Sequence, residues 1–190
     1  MTPLIGILAL QGGFDAHAKM LRELGAEVRL VRVPEDLEGL DGLVLPGGES
    51  TTMMLGIARE GLAEPLRELV ARGTPVLGTC AGLIISGRDR LGLIDIRVKR
   101  NAFGRQVRSF EADLDFVGFD EPVHAVFIRA PWIEEAGPGV EVLAEVDGRP
   151  VAARQGAVTV IAFHPELSGE KRLHAAFLEQ CAAAGRRADA

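Results

Sequence analysis

Over the first ninety residues, short apolar runs alternate with segments whose apolar positions recur every three or four residues. Leu4–Leu10 is nearly continuous in apolar character, as a strand buried on both faces must be. Phe14, Ala18, Leu21 and Leu24 then follow at helical spacing, and Gly25 closes the segment. Glu27–Val33 is strand-like and stops at Pro34; Gly42–Leu45 is a short buried strand ending at Pro46-Gly47-Gly48. Thr51–Arg59 and Glu64–Ala71 have helical patterns, the second closed by Gly73. Pro75–Leu77 reads as a strand that runs directly into Gly78-Thr79-Cys80-Ala81-Gly82. Strands alternating with helices predict a parallel α/β sheet.

Beyond Leu91 the pattern changes. Leu93–Lys99, Phe110–Phe116, Ala125–Arg129, Glu141–Val146, Val151–Arg154 and Val158–Phe163 all have strand character, separated by turn signals such as Asp147-Gly148 and Gln155-Gly156. Close-spaced strands without helices between them predict antiparallel pairing added to the parallel core. Leu173–Ala184 is a final amphipathic helix, and Gly185–Ala190 is expected to be a frayed, disordered tail. No linker or internal repeat interrupts the chain, so residues 1–190 are expected to form one domain. The expected fold is three-layer α/β, with a mixed, mostly parallel central sheet, helices on both faces and an antiparallel portion.

The candidate chemistry sits at strand ends. A strand that ends in Gly-x-nucleophile-x-Gly and turns at once into a helix is the pattern of a nucleophile elbow. Small neighbours are required because the turn is tight, and the thiol of Cys80 then lies at a helix start, where free N–H groups and the helix dipole favour thiolate. A buried cysteine acting as a small hydrophobe is the alternative; for Cys181, beside Phe177 and Leu178 on an apolar helix face, it is the preferred one.

His164-Pro165-Glu166 follows the last apolar strand. In an extended segment residues i and i+2 point to the same side, so the ring and the carboxylate are expected to face one edge together. His164 then serves as base and acid, with Glu166 orienting the ring. Read alone, the pair fits a solvated strand end equally well. Pro46-Gly47-Gly48-Glu49-Ser50-Thr51 also ends a strand. Its glycines let backbone N–H groups approach a ligand, giving an oxyanion donor with the N–H of Ala81 as the second. A plain turn, or a helix N-cap at Ser50 or Thr51, is compatible with the same residues. Arg100 and the Ile128-Arg129 pair end strands and suit a substrate carboxylate, although surface arginines are the simpler reading. His17, His174 and His124 read as structural or solvated.

Composition narrows the field. A net charge of −6 argues against nucleic acid as the main partner. No apolar run approaches bilayer length, and the N-terminus lacks signal-peptide features, so no membrane partner and a cytoplasmic location are expected. A disulfide between the two cysteines would quench the proposed nucleophile, so both are read as reduced. No Cys/His cluster has structural zinc spacing, and neither metal nor cofactor is expected.

Taken together, the motifs resemble a known family. Leu8-Ala9-Leu10-Gln11-Gly12, Leu45 to Met53, Gly78 to Ile84, Arg100-Asn101-Ala102-Phe103-Gly104-Arg105-Gln106, Ser109-Phe110-Glu111, Phe127-Ile128-Arg129-Ala130-Pro131 and Phe163 to Leu167 are similar to the PdxT family. This family comprises the glutaminase subunits of pyridoxal 5'-phosphate synthase, within the class I triad glutamine amidotransferases of flavodoxin-like fold. The resemblance implies a triad of Cys80, His164 and Glu166. It implies glutamine contacts at Gly48, Glu49, Ser50, Arg100, Ile128 and Arg129, and oxyanion donors near Gly47, Gly48 and Ala81. It implies hydrolysis of L-glutamine through a cysteinyl thioester, with ammonia channelled to a synthase subunit of the PdxS family in a ring-shaped dodecameric core. Such glutaminases are weak until the synthase docks, and Gln11 with its adjoining helix is expected to form part of that contact. Proteases and stress proteins with the same elbow would leave Arg100, Arg129 and the Glu49 loop without a task.

Overall fold

The computed structural model describes residues 2–101, 103 and 109–188. Eleven strands and six helices succeed one another among them, with a 3-10 turn at Pro34–Leu37. The strands are β1 (Leu4–Leu8), β2 (Glu27–Val31), β3 (Gly42–Leu45), β4 (Val76–Thr79), β5 (Ile96–Lys99), β6 (Ser109–Leu114), β7 (Val123–Ile128), β8 (Trp132–Ala136), β9 (Glu141–Val146), β10 (Arg149–Gln155) and β11 (Val158–Ile161). The helices are α1 (Phe14–Glu23), α2 (Ser50–Arg59), α3 (Ala63–Ala71), α4 (Ala81–Ser86), α5 (Pro165–Ser168) and α6 (Arg172–Ala188).

Seven strands form the central sheet in the order β2-β1-β3-β4-β11-β10-β9. The first five are parallel; β10 adds antiparallel to β11, and β9 antiparallel to β10. Two further ribbons, β5-β8 and β6-β7, are antiparallel pairs. The mostly parallel core with an antiparallel addition is the architecture expected. The apolar runs of β1, β3 and β4 are buried throughout or nearly so because helices cover both faces. On one face Ala18 and Leu21 of α1 and Phe177 and Cys181 of α6 pack on Ile5, Ile7, Val44 and Leu77. On the other, Met53 and Ile57 of α2, Leu66 and Leu69 of α3 and Leu83 of α4 join Leu43, Leu45 and Val76.

Aromatic side chains seat the β6-β7 ribbon on this frame. Phe127 is fully buried, stacks on Phe110 at 4.5 Å between ring centroids and lies 5.5 Å from Phe163. Each such pair contributes about 0.5–1.5 kcal/mol beyond its buried area. The consequence is positional, since β7 delivers Ile128 and Arg129 beside the end of β11.

Three expectations need correction. Trp132–Ala136 is a strand, though only Ile133 of its five residues is fully buried, so its sequence shows no clean alternation. Helix α6 extends through Gly185, Arg186 and Arg187 to Ala188, past the start of the expected tail; Asp189 and Ala190 lie outside the described residues. Pro165 opens the short helix α5 instead of continuing an extended strand, because its fixed φ suits a first helical position. Among the described residues, no helix is long and apolar enough to cross a membrane.

Candidate active site

Cys80 stands between β4 and α4 with φ 50° and ψ −104°, a conformation that costs of order 1–3 kcal/mol in a non-glycine residue. The surroundings enforce it. The Cys80 N–H donates to the Ile161 carbonyl at 2.8 Å, and a side chain at Gly82 would overlap the Leu45 carbonyl. The bend is the elbow anticipated from the flanking small residues. It brings Cys80, 7% exposed, to the wall of a cavity of about 450 Å³. That cavity is lined by Gly48, Glu49, Ser50, Ile84, Arg100, Asn101, Ile128, Arg129 and His164 as well. Asn101 and Arg129 also have positive φ, so three of the four such non-glycine residues among the described residues meet here. Backbone strain collected at one concave site is a mark of a functional constraint.

The His164 ring closes the arrangement. Its Nδ1 donates to Glu166 Oε1 at 2.7 Å, and the Cys80 side chain, whose Sγ lies 4.0 Å from the Ile128 carbonyl oxygen, sits beside the ring across Gly47. The pairing of His164 with Glu166 was expected, but its geometry was not. Glu166 reaches the ring from the first turn of α5, not from an extended strand. The His164 N–H donates to the Val126 carbonyl at 2.9 Å, which fixes the ring to β7. Burial pulls the ring's pKa down, but hydrogen bonds to Cys80 and Glu166, with their charges, outweigh it and push it up to about 10. Burial works against the Glu166 carboxylate, but the bond to His164 and the positive charge of that ring hold it below the usual carboxylate range. An imidazolium beside a sulfur is the arrangement that activates a thiol.

The double-glycine loop lies against the loop after β1. The Gly13 N–H donates to the Gly47 carbonyl at 2.9 Å. In a trans peptide the next N–H points the opposite way, so the Gly48 N–H faces away from that loop. Gly48 has φ 149°, and a side chain there would strike the Gln11 amide and the Gly12 backbone. Gln11 Oε1 accepts from the Glu49 N–H at 2.7 Å. The cap of α2 is Glu49, not Ser50 or Thr51. Its carboxylate accepts from the N–H groups of Thr51 and Thr52 and from the Thr52 hydroxyl. These bonds, the hydroxyl first, hold its carboxyl at about 2. Arg100 leans on the same cap, Nη2 lying 3.5 Å from Glu49 Oε1. All the expected site residues except Gly47, Ala81 and Glu166 line this one cavity; Glu166 is buried behind the His164 ring. Gly47 packs against the His164 ring, and Ala81 starts α4, where the first N–H groups have no intrahelical partner. Of the Arg100–Gln106 motif, Ala102 and Gly104–Gln106 lie outside the described residues.

Sequence reasoning missed what stands behind Glu166. His17 and His174, read from the sequence as structural or solvated, are fully buried, the structural alternative of the two, and a nitrogen of one ring lies 2.8 Å from a nitrogen of the other. The signal was present. His17 shares the inward face of α1 with Phe14 and Leu21, and His174 that of α6 with Phe177 and Cys181; a buried polar ring needs a partner. His124 is exposed between Glu111 and Asp113, and Cys181 is a buried free thiol. A larger cavity of about 560 Å³ opens at the opposite end of the sheet, beside Pro75, Ala157 and α6, and holds none of these site residues. Among the described residues no group of three His, Cys, Asp or Glu is arranged to hold a metal ion.

Comparison with known proteins gives a consistent picture. Residues 7–183 match the model of the SNO glutamine amidotransferase family. A protein of Pelotomaculum thermopropionicum named pyridoxal 5'-phosphate synthase subunit PdxT is 56% identical over 189 residues, covering 95% of this chain and 96% of its own. The one of that name in Mycolicibacterium vanbaalenii is 53% identical, covering 93% and 97%. A crystal structure described as a glutamine amidotransferase superposes with a TM-score of 0.89 at 46% identity, covering 94% of this chain and 98% of its own.

Proposed function

Because the chain belongs to the SNO glutamine amidotransferase family, we propose that this cavity hydrolyses L-glutamine to L-glutamate and supplies the ammonia to a pyridoxal 5'-phosphate synthase. One observation carries the reading. A strained cysteine and a histidine, the latter held from behind by a buried carboxylate, meet at a cavity that also holds a separate cation–anion pair, Arg100 and Glu49. The pair suits the zwitterionic end of a free amino acid, with Arg100 and Arg129 toward the α-carboxylate and Glu49 toward the ammonium. Ser50 and the Ile128 backbone complete that end of the pocket.

The chemistry follows from the remaining groups. The Cys80 sulfur attacks the carboxamide carbon, and the oxygen takes the negative charge. The N–H groups of Gly48 and Ala81, with the Gly47 peptide shaping the loop, stabilise that oxygen. Imidazolium His164 gives its proton to the departing nitrogen, the C–N bond breaks, and ammonia leaves a γ-glutamyl thioester. His164, now neutral, takes a proton from water. The hydroxide adds to the thioester carbon, the C–S bond breaks, and glutamate leaves with the sulfur again paired to imidazolium. Glu166 keeps Nδ1 protonated through both halves. No step calls for a cofactor.

The ammonia passes to a docked synthase subunit of the PdxS type, which the relatives' names support. A ring-shaped dodecameric core and a cytoplasmic location belong to the same reading, and two unpaired cysteines are in keeping with the latter. Gln11 with its adjoining helix forms part of that docking contact; its bond to the Glu49 N–H, which ties the loop after β1 to the oxyanion loop, supports the reading. The test is ammonia release from glutamine by the chain with and without a synthase subunit. Cys80→Ala is expected to abolish release and thioester trapping. Release that survives Cys80→Ala would refute the reading.

A further inference from the structure

The triad does not end at Glu166. Its buried Oε2 has no hydrogen-bond partner among the described residues, yet His17 Nε2 stands 3.6 Å away with both side chains almost wholly shielded from solvent. His17 Nε2 also lies 3.1 Å from Thr79 Oγ1, one residue before Cys80, and His17 Nδ1 lies 2.8 Å from His174 Nε2. Four elements, α5, α1, α6 and β4, thus contribute one polar group each to a row through an apolar layer.

The row has two neutral arrangements. Burial lowers His17, and takes His174 down to about 3, so neither ring is charged. If His17 carried its hydrogen on Nδ1, His174 would carry one on Nδ1, a buried atom with no partner, and bare His17 Nε2 would face carboxylate Oε2. That leaves an orphan donor and sets two lone pairs against each other. With the hydrogens on Nε2 of both rings, His174 donates to His17, and His17 presents an N–H to Thr79 and Glu166. The only cost is a bare acceptor on His174 Nδ1. The separation of 3.6 Å is too long for a hydrogen bond at rest, but such contacts tighten as charge moves in the reaction.

We propose that His17, held in its Nε2–H tautomer by His174, is a positioning residue that braces the second oxygen of Glu166 and through it aims the His164 ring. The proposal rests on the triad assigned above. His17 is fully buried and does not line the substrate cavity, so its loss acts on turnover and leaves glutamine binding alone.

Two measurements test it. Long-range proton–nitrogen correlation spectra of the full chain, which has four histidines, report which nitrogen of each ring is protonated. Protonation on Nε2 of His17 and His174 is expected; a His17 protonated on Nδ1 overturns the proposal. Steady-state glutaminase kinetics in the complex with a synthase subunit then compare three variants. His17→Gln places an amide nitrogen near the Nε2 position and keeps kcat within about threefold of wild type. His17→Asn places its nitrogen near Nδ1; it and His17→Leu lower kcat about tenfold with KM unchanged, the lower end of what the outer partner of an oriented ligand contributes. Equal losses in the Gln and Asn variants, or wild-type kcat in His17→Leu, overturn it. If His17→Leu fails to fold, the wild-type tautomer and the Gln–Asn contrast decide. A wild-type complex that releases no ammonia instead sinks the assigned reaction, and the tautomer result stands apart from it.

Discussion

Gly47→Ala separates catalytic geometry from folding in one atom. Gly47 is not among the positive-φ glycines, so alanine meets no backbone penalty there. The obstacle is space. The added methyl carbon would lie 2.6 Å from His164 Cε1, 3.2 Å from Nδ1 and 3.5 Å from Cys80 Cβ. Carbon atoms settle at about 3.5–4.0 Å, so the ring must retreat by about 1 Å. It cannot do so freely, since Nδ1 is held at 2.7 Å by Glu166 and the backbone N–H by Val126. A displacement of about 1 Å at a reacting group costs about 10²-fold in rate. The effect on stability is bounded separately. Lower unfolded-state entropy contributes about 0.4–1 kcal/mol, against about 1–3 kcal/mol for overpacking. The net loss is at most about 2.6 kcal/mol, roughly 5–10 °C in Tm for a chain of this size. Ammonia release in the presence of a synthase subunit, with a thermal melt of the same preparation, reads both quantities. A variant that turns over within about threefold of wild type shows that the ring has room to move and that the close packing of Gly47 on His164 is not what aims it.

Two further outcomes follow from the charges of the site. His164 works as imidazolium and is held up to about 10, so turnover falls as pH rises through that value; Glu166→Gln removes a negative charge that raises the ring, and the alkaline limb of the kcat profile moves to lower pH. An unmoved limb would show that Glu166 does not set the ring's charge. Glu49 is held at about 2 against an ordinary value near 4.5. Its cap therefore stabilises α2 in full above about 4.5 and weakens as pH falls toward 2. Melts over that range should show wild type losing a share of stability that Glu49→Gln, lacking the charge throughout, does not lose. Parallel curves for the two proteins would remove the carboxylate from the stability of α2.

What could be read from the sequence depended on how local its cause is. The elbow is local: the crowding that forces glycine at 82 lies one strand away, at the Leu45 carbonyl, and the small residues record it directly. The parallel strands are legible for a similar reason, since burial on both faces leaves unbroken apolar runs. Strand β8 left no such trace, because it pairs only with β5, and Glu134, Glu135 and Ala136 are exposed. The His164–Glu166 contact was foreseen by an argument whose geometry was wrong, because Pro165 can sit in an extended segment or at a first helical turn, and packing of α5 on β7 selects the turn. The row behind Glu166 was the hardest to see. His17 and His174 are 157 residues apart, and each alone is one more polar ring on an apolar helix. Only the sheet's two-sided packing, which sets α1 and α6 side by side on one face, turns two unremarkable residues into a continuation of the active site. The same packing explains why that row has no counterpart at the cavity wall. Residues that line the cavity come largely from strand ends and loops, where a motif survives as contiguous sequence, whereas the buried rings behind them come from helix faces. Their only mark is a polar side chain at a position where helical periodicity demands an apolar one.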